Sequence, residues 1–91
     1  MTHHVIEMFP QAPGFGPALP GPVRQGDSVW FLNKDRLPRQ AVSDPGLPCA
    51  IETGIIPPHK AFGIKIYCPP GLIPFHDPRL PHLREVLEIR P

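Results

Sequence analysis

The side chains in this sequence that can hold a metal or move a proton are five histidines, two cysteines and eight carboxylates. A structural zinc site is built from close pairs, typically two cysteines two to four residues apart. Here Cys49, His59, Cys68 and His76 are separated by ten, nine and eight residues, and His3, His4 and His82 add no knuckle. The spacing therefore predicts no metal and no cofactor. Nucleophilic catalysis needs a cysteine or serine with a base beside it. Cys68 with His76, or Ser43 with a histidine, supplies the residue types, but no Gly-x-Ser-x-Gly elbow is present. His76 and Asp77 are adjacent, so their side chains diverge, and Asp77 is better placed to cap a helix. The chain reads as a non-enzyme, with a small enzyme around His76 as the remote alternative. Gly14-Phe15-Gly16 runs into Pro17 instead of a helix, which excludes a phosphate-cradling loop.

A second chemistry is stacking on nucleic acid, which interleaves aromatic and basic side chains. Trp30, Phe31, Lys34, Arg36 and Arg39 form such a mixture, and Lys65 and Tyr67 join it from a second apolar run. The competing expectation places Trp30 or Phe31 in the core and leaves the charges to solvate a loop. A net charge of +1 argues against a strong nonspecific grip on a polyanion.

Two stretches must position these residues. Gln25-Gly-Asp-Ser-Val-Trp-Phe-Leu32 carries the sole tryptophan and passes from a Gly-Asp turn into four large apolar residues. Its opening resembles the first strand of SH3-like barrels, which implies a small barrel fold. In Ala61-Phe-Gly-Ile-Lys-Ile-Tyr-Cys68, Phe62, Ile64, Ile66 and Cys68 share one face. That alternation predicts a core of Val29, Phe31, Phe62, Ile64, Ile66 and Leu83 and places Cys68 with it; without a secretory signal, Cys49 and Cys68 are expected to be buried, reduced thiols, with a disulfide as the alternative. Shorter strands are expected at Arg39–Ser43 and Cys49–Thr53, separated by the Asp44-Pro45-Gly46 turn. Near the end, Asp77-Pro78 resembles a helix start, and Leu80, Leu83 and Leu87 recur at helical spacing. The expected fold class is mostly β: a small SH3-like barrel or bent antiparallel sheet with one short C-terminal helix.

The remaining feature is proline, 16 of 91 residues, with 8 glycines beside it. Five of those prolines fall between Pro10 and Pro22, where neither helix nor central strand can form. Residues 1–22 are expected to be an extended Pro-rich arm and residues 23–91 a small β domain. Phe15 and Leu19 are apolar hooks that a plain spacer would not need. The start of the chain lacks a signal peptide, and no run reaches the roughly 20 apolar residues of a membrane span. A cytoplasmic protein with no membrane contact is expected. Together these features predict a non-catalytic protein-interaction or accessory module attached to a larger assembly, partly through the arm. Its expected partner-binding residues are Phe15, Leu19, Trp30, Arg36, Arg39 and Tyr67. The alternative is a nucleic-acid-binding small β-barrel.

Overall fold

The computed structural model describes residues 2–91, and seven strands in two sheets make up the regular structure among them. β1 (His3–Met8), β3 (Ser28–Asn33) and β5 (Ala61–Lys65) form one sheet in the order β1-β3-β5. β2 (Val23–Arg24), β4 (Val42–Ser43), β6 (Gly71–Asp77) and β7 (Leu80–Arg90) form the other, in the order β2-β7-β6-β4. β1 runs parallel to β3 and β2 parallel to β7, while β3–β5, β4–β6 and β6–β7 are antiparallel.

Period-two alternation decides which way each strand faces. In β1, His4, Ile6 and Met8 point inward, opposite Val29, Phe31 and Asn33 of β3. The intervening pairs His3–Ser28, Val5–Trp30 and Glu7–Leu32 form the outer face. From the second sheet, Ile73, Phe75, Leu87 and Ile89 close the core. Phe75 joins the layers. Its ring meets Phe15 edge-on at 4.9 Å and Phe31 at 5.8 Å.

The Pro-rich stretch runs along β1. Val5 and Leu19 exchange both backbone hydrogen bonds, at 3.0 and 3.2 Å, and the Gly16 N–H donates to the Glu7 carbonyl at 2.8 Å. Phe15 thereby enters the core at 1% exposure. Prolines suit this position, because a chain that pairs along one side only needs half its N–H groups.

Several expectations are corrected. The C-terminal helix is absent, and the segment is β7. Leu83 and Leu87, four apart, satisfy a strand as well as a helix; Ile89, two further on and buried, fits only the strand. Asp77 does accept a backbone N–H, from Arg79 at 3.0 Å, but the turn it caps closes the β6–β7 hairpin. Nor is an SH3-like barrel confirmed: the strands lie in two separate sheets. Of the strand expected at Arg39–Ser43 only β4 forms, and Cys49–Thr53 contributes one isolated bridge, Val42–Glu52. Finally, the cysteines are not free thiols. Cys49 and Cys68 form a disulfide with their Cα atoms 5.5 Å apart. Cys68 does face the core, at 4% exposure, although β5 ends at Lys65 and Cys68 lies beyond it.

Candidate partner-binding face

The fold scatters the six expected partner-binding residues. Phe15 and Arg39 are buried, at 1% and 0% exposure. Arg36 is exposed on the loop after β3, and Tyr67 stands 69% exposed beyond β5, with the Lys65 ammonium 5.9 Å from its ring centre. Leu19 and Trp30 are brought together. Leu19 bridges to Val5, Val5 pairs with Trp30, and Trp30 pairs with Gly63. The row crosses four chain segments on the outer face of the three-stranded sheet, with Leu19, Val5 and Trp30 exposed by 60, 41 and 44%.

Gly63 is needed at the end of that row. A Cβ there would lie 2.6 Å from Cε2 of Trp30, so the indole rests flat on the glycine backbone. Val5 is the member that sequence reasoning missed. Its signal is the short apolar run from Val5 to Phe9, but nothing local announces that this run lies beside residues 28–33.

The basic-aromatic patch does not assemble. Phe31 is at 0% exposure, Arg39 is buried, and the Lys34 ammonium is 2.8 Å from the Glu7 carboxylate. Of the residues left exposed, Trp30 and Lys65 share the outer sheet face, but Arg36 lies on the loop after β3 and Tyr67 beyond β5, so a nucleic-acid surface is not supported.

Arg39 has a different role. Its Nε donates to Asp77 Oδ2 at 2.6 Å, one terminal nitrogen to Asp35 at 3.2 Å and to the Phe9 carbonyl at 2.8 Å, and the other to the Gly14 carbonyl at 3.3 Å. The guanidinium carbon lies 5.1 Å from the centre of the Phe15 ring. One cation therefore ties the loop after β1, the loop after β3 and the β6–β7 turn together.

Two further carboxylates are tuned. Asp27 accepts from the His4 ring at 2.9 Å and from the Thr2 and Arg24 backbone N–H groups at 3.0 Å each. The His4 bond first, then the two backbone donors, hold its carboxyl far below the usual range. Asp44 is lowered chiefly by the His76 ring, 2.8 Å away, which outweighs the opposing effect of burial, and further by Arg84.

With the sheet order, registers and loop ties in hand, solved structures can be compared. No family model matches the sequence, and no curated protein matches it. A proline-to-glycine variant of amicyanin, in its reduced Cu(I) form at pH 4, superposes with a TM-score of 0.72 at 15% identity over 94% of this chain and 80% of that one. An oxidised methionine-to-lysine variant of amicyanin gives 0.71 at 18% identity, again over 94% and 80%. A methionine-to-glutamine Cu(I) variant gives 0.69 at 15% over 97% and 82%.

The fold is cupredoxin-like. At such identities the likeness concerns the backbone architecture alone. It nevertheless overturns the expectation of an accessory module hung on a larger assembly by a Pro-rich arm. The cupredoxin-like sandwich takes in nearly the whole chain, and the hook Phe15 is part of its core.

Copper chemistry in such a sandwich can be tested against the residues present. A blue-copper centre takes two histidines and a cysteine thiolate, with a long axial methionine. Both cysteines here are bound to each other. Of the histidines, His4 is engaged with Asp27 and His76 with Asp44, and His3, His59 and His82 stand apart on the surface. Among the described residues no three His, Cys, Asp or Glu side chains cluster tightly enough to hold a metal. The donor set does not fit copper.

Proposed function

We propose that this cupredoxin-like domain recognises a protein partner on the outer face of its three-stranded sheet, without copper. The observation that carries this is the row Leu19–Val5–Trp30, ending on Gly63. Three large apolar side chains lie open side by side on a rigid sheet, and contiguous exposed apolar surface of this kind marks interaction sites. The centre of the row is an indole locked on a glycine, so little side-chain entropy remains to be lost on binding. Aromatic anchors of this type dominate protein interfaces. Among the described residues no helix is long and apolar enough to cross a membrane.

The test is a matched pair of proteins, the natural chain and a Leu19→Ser, Trp30→Ser double variant, coupled to beads and exposed to the same extract. Both side chains are exposed, so the variant should melt close to the parent. A protein retained by the natural chain and lost by the variant supports the face. Equal retention by both removes it. Titration with Cu(I) and Cu(II) should produce neither a thiolate–copper absorption band nor a rise in melting temperature. Either signal would overturn the copper-free part of the proposal.

A further inference from the structure

The three-stranded sheet has two edges, and they are treated differently. The β1 edge is covered. The Pro-rich segment supplies backbone partners to Val5, Glu7 and Phe9, through Leu19, Gly16 and Gly14. The β5 edge has no such cover. At its two ends, the Lys60 carbonyl accepts from the Asn33 N–H at 2.9 Å and the Ile66 N–H donates to the Asp27 carbonyl at 2.8 Å. Alternation along an antiparallel ladder then turns Phe62 and Ile64 toward β3, and turns the backbone groups of Ala61, Gly63 and Lys65 outward. An uncovered edge is a template for another strand.

The charge on this edge has one sign. Lys60 and Lys65 flank the strand, β5 carries no acid, and neither lysine has an ion-pair partner among the described residues. The other nearby lysine, Lys34, is already paired with Glu7. A groove of about 410 Å³ beside the C-terminal half of the strand is lined by Ile64, Lys65 and Ile66 and by Cys49, Ala50 and Glu52. Glu52 is the acid in that groove, and its carboxylate is occupied by the Gln40 side chain and the Gly54 N–H.

We propose that the open edge of β5 takes an extended segment of the protein partner as an added strand, with a carboxylate near each end to meet Lys60 and Lys65. This rests on the reading of the outer sheet face as the partner-binding face, and extends it. The segment's backbone would pair with Ala61, Gly63 and Lys65, giving affinity, and the lysines would set register and choice of sequence. Its outward side chains would stand beside Trp30, continuing the row that begins at Leu19. The glycine at the middle of β5 keeps that approach free of a side chain.

The probe is a capped pentapeptide, Glu-Val-Thr-Val-Glu, titrated into the isotopically labelled full chain and followed by backbone amide shifts. Shifts centred on Ala61, Gly63 and Lys65 are expected. The same peptide with lysine at both ends should bind about tenfold more weakly at low salt, a difference of about 1.4 kcal/mol. Raising the salt should narrow that gap. No shifts on the strand at millimolar acidic peptide, or equal binding of the two peptides, would overturn the proposal. A Lys60→Glu, Lys65→Glu variant should reverse the preference, but the peptide comparison on the natural chain decides the matter even if that variant folds poorly. A chain that dimerises alone and becomes monomeric on Ala61→Pro would assign the edge to a second copy and overturn the proposal as well. Should the acidic peptide fail while the Leu19→Ser, Trp30→Ser variant still loses its partner, the face stands and only the added strand falls.

Discussion

Arg39 and Asp77 lie 38 residues apart in sequence and 2.6 Å apart in the fold, both at 0% exposure. This ion pair joins the segment after β3 to the β6–β7 turn, and Asp35 and two backbone carbonyls complete its shell. Buried charges persist only when satisfied in this way, because the low-dielectric interior penalises any left alone. Replacing Arg39 by Met should strand Asp35 and Asp77, and is expected to cost about 3–5 kcal/mol. The Arg39→Met, Asp77→Leu double variant should lose less than the sum of the two single variants. Urea melts of the four proteins measure this; strict additivity would show that the pair does not act as a unit.

Phe15 and Leu19 offer a sharper contrast, since both sit in the proline-rich stretch. Phe15→Ala should cost about 3–5 kcal/mol, as for any buried aromatic truncated to a cavity. Leu19→Ala, at an exposed site, should stay within about 0.5 kcal/mol. Equal costs in thermal or denaturant melts would mean that the stretch does not pack as described.

Reduction of Cys49–Cys68 should destabilise the domain by about 2–4 kcal/mol, the usual range for a loop of this size. The loop it closes holds β5, so amide exchange at Ala61–Lys65 should accelerate more than in β6 or β7. A melting temperature indifferent to strong reductant would refute the link.

Acid should weaken the fold through Asp27. Its carboxyl is held below the ordinary value of 3.8, so the unfolded chain takes up a proton there before the folded chain does. The contribution is complete above about pH 4 to 5 and declines as pH falls further, persisting well below the unfolded value. Asp27→Asn should flatten that part of the stability–pH curve and detach His4 and Thr2, its partners on β1 and just before it. An unchanged acid limb would mean that other carboxylates carry the effect. Asp44, lowered by His76 and Arg84, acts in the same direction, so the Asp27 variant should still retain some slope.

Local chemistry made part of this molecule legible. Val29 and Phe31 inward with the Gly26-Asp27 turn before them, and Ile66 and Cys68 inward, follow from alternation within ten residues or so. Leu83 was also expected in the core, though for the wrong element. β5 was recognised as a strand but not as an edge, and edges are where alternation stops predicting burial: Phe62, paired with buried Phe31, is still 42% exposed.

What only the tertiary structure decided has one physical cause, the long-range pairing that dominates a mixed-sheet sandwich. β1 lies parallel to β3, β2 lies parallel to β7, and parallel neighbours cannot be joined by a tight turn that a sequence would advertise. The Val5–Trp30 row, the Cys49–Cys68 bond and the Arg39–Asp77 pair each depend on which strands become neighbours. An arginine on a polar loop has the same local signature whether it will be solvated or sealed. Its fate here was settled by carboxylates four and thirty-eight residues away, brought to it by the fold.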